Sequence, residues 1–204
     1  MQMMDMDPGT PPPARTLAAT LTAADLTSHQ PFVTRIMGGS ITVPYVGPSL
    51  QATYTGELYF PLSKPDDPSL RMLGDMEIII DFTDYTANNN ITGTVTNLNV
   101  FRGDTPLERL DIENGQMVVS GRDDGRQRTV DMRIDGAATG AFGQDTVGTS
   151  RFILSPYGQT YRVRDLSESA IAGNVGGVIT GHHTSNSLRA GRFFLLPEGE
   201  TQPD

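Results

Sequence analysis

The segment Gly74–Thr83 reads G-D-M-E-I-I-I-D-F-T and limits the fold more than any other stretch of the chain. Met76, Ile78, Ile80 and Phe82 share one parity. Asp75, Glu77, Asp81 and Thr83 share the other, which only Ile79 interrupts. A period of two with charge on one side predicts a strand in a sheet that is wet on one face. Similar alternation recurs in Gln51–Phe60, Ile91–Leu98, Gln116–Gly121, Thr129–Phe142, Val147–Leu154, Gln159–Val163, Ile171–His182 and Leu188–Leu196. Eight to ten such strands separated by turn signals predict an all-β sandwich or barrel.

Turn chemistry sets the expected connections. Asn88-Asn89-Asn90 predicts a turn, because asparagine tolerates left-handed backbone. Asn114-Gly115 predicts a hairpin joining Leu107–Ile112 to Gln116–Gly121, because both turn positions need positive φ. Gly121–Gly125 and Ser155-Pro156-Tyr157-Gly158 read as further turns, Asp135-Gly136 as a bulge or bend, and Pro61–Leu73 and Phe101–Leu107 as long loops. Thr20–Leu26 and Asp165–Ala170 carry short helical signals. One detail separates barrel from sandwich. In Ile171, Gly173, Val175, Gly177 and Ile179 the inner parity alternates large and small, as does Ile91, Gly93, Val95. That suits the tapered interior of a small closed barrel. A sandwich whose glycines mark bulges is the alternative. The expected architecture is all-β: a single small antiparallel β-barrel of roughly eight strands with an extended proline-rich N-terminal arm. Residues 1–44 are the arm, where Phe32–Tyr45 forms a strand pair or packs on the body; 45–197 are the barrel, and 198–204 a polar tail.

Composition excludes several functions. A net charge of −9 argues against nucleic acid or an anionic membrane surface as partner. Without cysteine, neither a disulfide framework nor a thiolate metal site can form. No apolar run reaches the roughly 18–20 residues of a membrane-spanning helix. Met1–Thr10 lacks the basic and apolar regions of a secretion signal, so either a signal has been removed or the protein is made without one.

Candidate chemistry is sparse. His182 and His183 are adjacent at a strand end and point to opposite faces, which suits a solvated pair better than shared metal ligation. Asp123-Asp124, Asp131 and Asp135 lack the spacing of a calcium loop, as does Asp111–Gly115, and read as turn or outer-face carboxylates. Asp81 and Asp84 form no acid–base pair of the glycosidase type. Ser150, Ser155 and Ser167 lack a nucleophile-elbow context, and Gly173–Gly177 lies within a strand pattern instead of preceding a helix. Arg162 and Arg164 share a parity with Thr160 and offer an anion or partner contact. The residues assigned to partner binding are therefore Arg162, Arg164, His182 and His183, with no catalytic residue, no metal and no cofactor.

Several segments resemble a known family when taken in order: Ala52–Phe60 (A-T-Y-T-G-E-L-Y-F), Ile78–Leu98, Gly136–Gly143 (G-A-A-T-G-A-F-G), Ala170–Gly181 (A-I-A-G-N-V-G-G-V-I-T-G) and Leu188–Leu195. They are similar to the β-barrel domain of transferrin-binding protein B-like surface lipoproteins of Gram-negative bacteria, over residues 45 to 197. The family's lipidated cysteine has no counterpart here, and Arg162–Leu166 replaces its aromatic-Gly-Pro step. The resemblance implies a small barrel and exposure at the cell surface; it transfers no ligand. The function expected is that of a non-enzymatic surface or secreted module, extracellular or at the cell surface with its signal removed, contacting a protein partner through loops. The alternative is a structural component of a virion or other assembly (a decoration, head-fibre or tail protein). In that reading the arm clasps neighbouring subunits, a homo-oligomer among them. A lipocalin-like carrier of a small ligand ranks third, because large apolar residues are expected to fill the interior.

Overall fold

A computed structural model describes residues 40–41, 51–62, 69–83, 89–124, 129–162, 169–182 and 185–198. The expected helix at Thr20–Leu26 and nearly all of the N-terminal arm lie outside them. The strands are β1 (Ser40–Ile41), β2 (Gln51–Pro61), β3 (Leu70–Asp81), β4 (Ile91–Arg102), β5 (Thr105–Arg109), β6 (Asp111–Ile112), β7 (Met117–Asp124), β8 (Thr129–Gly140), β9 (Gly148–Arg162), β10 (Ser169–Gly181) and β11 (Ser185–Pro197). Eight of them (β2, β3, β4, β7, β8, β9, β10 and β11) form an antiparallel ring in which each pairs with the next. The ring closes where β11 meets β2, from Arg192 opposite Tyr59 to Pro197 opposite Tyr54. The fold is thus the all-β, eight-stranded antiparallel barrel that the alternation predicts.

The parity of β3 sorts as expected. Met76, Ile78, Ile80 and Phe82 are buried within the barrel, and Asp75, Glu77 and Ile79 are exposed. The interior is filled by one apolar cluster to which every barrel strand contributes, with Phe60, Phe152, Phe142 and Phe193 among its largest members. Each such side chain contributes about 1.5–3 kcal/mol by leaving water. Apolar inside and charged outside is the reverse of a membrane-spanning barrel, whose apolar band faces outward. Among the described residues no helix is long and apolar enough to cross a membrane.

Large–small alternation has a direct packing cause. Gly158 of β9 stands opposite Gly173 of β10. The Phe193 ring from β11 lies over both: a Cβ on Gly158 would come within 2.6 Å of it, and one on Gly173 within 2.8 Å. The aromatic ring occupies the volume that two side chains would otherwise need.

Several expected turns are strand instead. β9 runs unbroken through Ser155–Gly158, with Pro156 opposite Val175 of β10. The ladder to β8 is interrupted there, between the pairs Asp131–Tyr157 and Ile134–Leu154. Proline has no N–H to give, so one ladder loses a bond while the strand continues. Asp135-Gly136 is no bulge: β8 keeps one register with β9 through it, its pairing with β7 ends at Asp135, and Gly136 makes room for Met117. Phe101–Leu107 is no long loop, because β4 continues to Arg102 and turns back into β5 at Gly103, where φ is 59°. Asn114 and Gly115 have the positive φ expected, 61° and 75°. Yet the strands they join do not pair with each other: β6 pairs with β8, and β7 with β4 and β8.

That last arrangement shapes one end of the barrel. β4 pairs with β7 only from Ile91 to Val95; beyond a kink at Asn97 (φ 52°) it pairs with β5. β5 and β6 therefore fill the wall between β4 and β8 at that end. The register places Pro61, Leu70, Arg102, Gly140, Gly148 and Gly181 at this upper rim. Gln51, Asp81, Ile91, Asp124, Thr129 and Arg162 lie toward the lower rim. Near the lower rim β1 pairs with β9 beyond the last β8 partner, and the outward-parity residues Tyr161, Ala170, Ala172, Phe194 and Leu196 are also buried.

Candidate functional site

The upper rim is built around the β8–β9 connection. After Gly140 the chain reverses through Ala141–Gln144, closed by a bond from the Gln144 N–H to the Ala141 carbonyl at 2.9 Å. Its central residues, Phe142 and Gly143, have φ of 52° and 70°, the signature of a primed turn. Glycine fits such a position and phenylalanine does not; left-handed backbone costs a residue with a Cβ about 1–2 kcal/mol. Three contacts hold Phe142 there. Its fully buried ring closes the barrel interior, 6.2 Å from Phe152 and 6.3 Å from the His182 ring between centroids. The Glu108 carboxylate of β5 accepts both flanking amides, from the Ala141 N–H at 2.8 Å and the Gly143 N–H at 3.2 Å. Arg102 of β4 donates to the Gly143 carbonyl at 3.4 Å.

His182 braces the other side. Its backbone N–H donates to the Thr149 carbonyl at 3.0 Å. Its Nε2 lies 2.7 Å from the Thr146 carbonyl, which can only accept, so this nitrogen carries a proton. Gln144 donates through Nε2 to the His182 carbonyl at 3.4 Å. Gly148 leaves the ring its place, since a Cβ there would come within 2.6 Å of it. Between the β4–β5 hairpin and this turn lies an open groove of about 280 Å³, lined by Arg102, Leu107, Glu108, Ala141, Gly143, Gln144 and Asp145. Leu107 is a large apolar side chain left exposed beside it. Both Glu108 oxygens are taken by backbone amides, so the groove offers a cation, amides, a carboxylate and an apolar surface without a base poised on a nucleophile.

Of the residues expected to meet a partner, the two described, Arg162 and His182, lie at opposite ends of the barrel. His182 is at the upper rim as part of the brace, where a solvated residue was expected. Arg162 is at the opposite end, its backbone paired with Ser40 and Ser169. Thr160, read on the same face as Arg162, is buried. Arg164 and His183 lie outside the described residues. Glu108 and Phe142 carried no motif that a sequence reading could use. The one signal was the Phe142-Gly143 step, which reads as strand end until the turn is seen.

The carboxylates reviewed for calcium are dispersed. Asp135, on the outer face, pairs with Arg133 and Arg151, and the Arg133 bond chiefly holds its carboxyl below the ordinary range. Asp81 accepts the Thr83 hydroxyl at 2.6 Å and the Thr83 amide at 2.9 Å, which lowers its pKa. Asp123 was expected at a turn or on the outer face. It lies instead on the inward parity of β7 with Met117 and Val119, only 2% exposed. Its Oδ2 is buried without a hydrogen-bond partner. Burial, and then the charge of Asp124, push its pKa up to about 6. Beside it, Asn89 and Asn90 act through their side chains. Asn89 Oδ1 accepts the Gly121 N–H at 3.0 Å and Asn90 Oδ1 the Asp123 N–H at 2.8 Å, while Asn90 Nδ2 donates to the Asp81 carbonyl at 3.2 Å. Neither asparagine has the positive φ expected of it. Among the described residues no three histidine, aspartate or glutamate side chains converge as a metal site would require.

No family model, curated protein or solved structure matches the chain.

Proposed function

We propose that this chain is a non-enzymatic binding module of a surface or secreted protein, and that it meets a protein partner at the upper rim. The observation that carries the reading is the braced groove. A turn that would be costly alone is fixed by Glu108, Arg102 and His182 beside an exposed Leu107. Fixing a contact surface before binding lowers the entropy lost on association. The filled interior favours recognition on the outside over a ligand carried within. The resemblance to transferrin-binding protein B-like barrels points the same way, toward an extracellular or cell-surface location. The test compares the wild-type chain with an Arg102→Glu/Leu107→Asp variant as immobilised bait against the proteins of its native surroundings. A partner held by the wild type, lost by this variant and kept by a lower-rim Gln51→Glu variant supports the proposal. A partner indifferent to the groove change refutes it. A second reading, a structural component of an assembly, draws on β1, where residues of the N-terminal region add a strand to β9.

A further inference from the structure

Two outer faces on opposite sides of the barrel are complementary in charge and in apolar spacing. β3 and β9 are four places apart in a ring of eight, hence diametrically opposed, and the alternation of directions makes them run the same way. On the β8–β9 side Arg133 and Arg151 converge on Asp135 at 2.9 and 3.1 Å; their side chains are 58% and 63% exposed. Two guanidiniums share one carboxylate, leaving one positive charge over in a chain of net charge −9. Across this triad runs the row Val118, Asp135, Ile153 and Val178, one residue from each of β7 to β10. Val118 and Val178 are exposed in it. On the β3 side Glu77 and Ile79 are both exposed, flanked in register by the threonines Thr55 and Thr94, and Thr53 and Thr92.

The geometry points to head-to-tail association of this chain with itself, the β3 face of one copy lying on the β8–β9 face of the next. Glu77 supplies the carboxylate that the Arg133–Asp135–Arg151 triad lacks. Ile79 stands two residues beyond Glu77, and Ile153 two beyond Arg151, so both steps span about 7 Å along their strands. Strands on opposite walls of a barrel tilt oppositely, by about 35–45° to its axis; with one copy turned about the contact normal so that β3 and β9 align, seating Glu77 over Arg151 brings Ile79 onto Ile153 and Val178. The contact is heterologous, because the two faces differ, and each added copy leaves both kinds of face open at the ends of the row. Two convex surfaces bury less than the roughly 1,200 Å² of a stable complex, so the association is weak and salt-sensitive. Neither face includes a residue of the upper rim, and the inference stands apart from the binding proposed there.

The test is sedimentation and light scattering of the full chain over a concentration series, at low and at roughly 0.5 M salt. Concentration-dependent growth in mass at low salt, lost at high salt, is expected. Arg151→Glu and Glu77→Arg should each remain monomeric alone. Mixed in equal amounts they should associate again into rows in which the two variants alternate, because Glu77 of the Arg151→Glu copy meets Arg151 of the Glu77→Arg copy at one contact and the two swapped charges meet at the next. A chain bearing both changes should again form rows. Both substituted positions are on the surface, and unchanged circular dichroism and melting confirm intact folding. A wild type that stays monomeric throughout overturns the inference. So does association insensitive to salt or to either substitution, or a mixture that fails to associate.

Discussion

Replacing Asp123 by Asn tests whether a charge is held in the barrel interior. The wild-type carboxyl is 2% exposed, and its pKa rises from 3.8 to about 6. The folded state therefore binds this proton more tightly than the unfolded chain does. Its contribution to stability is fully present below the unfolded pKa near 4 and is lost as pH rises through about 6. At about 1.36 kcal/mol for each pH unit, that rise bounds the loss at about 3 kcal/mol. Asn has the same shape without the charge. Urea unfolding followed from pH 4 to 8 should thus show the variant level with the wild type near pH 4. By pH 7 it should be more stable by up to about 3 kcal/mol, a midpoint shift of roughly 1 M or more at ordinary urea sensitivities. The m-value should not change, and the Asp123 carboxyl carbon should titrate near pH 6 by NMR. Parallel pH profiles for the two proteins, or a stability gain already present at pH 4, would refute the reasoning.

Glu108→Gln leaves one of the Ala141 and Gly143 amides without an acceptor. It should cost about 1–3 kcal/mol and speed hydrogen exchange at those amides while the lower rim is unchanged. Gly158→Val forces a branched side chain against the Phe193 ring and the Ala172 carbonyl; a collapse of the near-UV aromatic signal and loss of a cooperative melt are expected. Asn90→Ala removes the acceptor of the Asp123 amide and a donor to Asp81. It should lower the chemical-denaturation midpoint by an amount equal to about 1–3 kcal/mol, with faster exchange at the Asp123 amide as the local readout.

Inside and outside were legible from β3 and β10, because a strand with one buried face has to alternate. Partner choice was less so. Asn114-Gly115 announces a reversal correctly through its φ angles, but a turn says nothing of which strands then pair; the kink at Asn97, seventeen residues earlier in the chain, hands β4 from β7 to β5. Pro156 reads as a turn locally, yet a proline whose missing N–H falls in a gap of one ladder is tolerated. The site was hardest. Glu108 acts on amides more than thirty residues away, and no spacing rule connects them. His182 was visible as a histidine at a strand end, but its bond to Thr146 depends on how the β8–β9 connection curls back. Asp123 looked like a turn carboxylate because the glycines around it suggested a turn, whereas β7 carries it to the inner face.

Closure of the ring through β2 and β11 has a kinetic consequence. Every other pairing in the ring joins strands that are neighbours in its sequential order; this one joins its first strand to its last. A chain emerging from the ribosome can assemble the meander through β10 but must wait for β11, leaving the raw edges of β2 and β10 exposed meanwhile. Loop closure over so long a separation is slow, and open edges accept whatever strand is at hand. A second nascent chain offers the same β11, so strand exchange between copies is the characteristic misfolding route of this barrel, favoured by crowded synthesis and relieved by dilution.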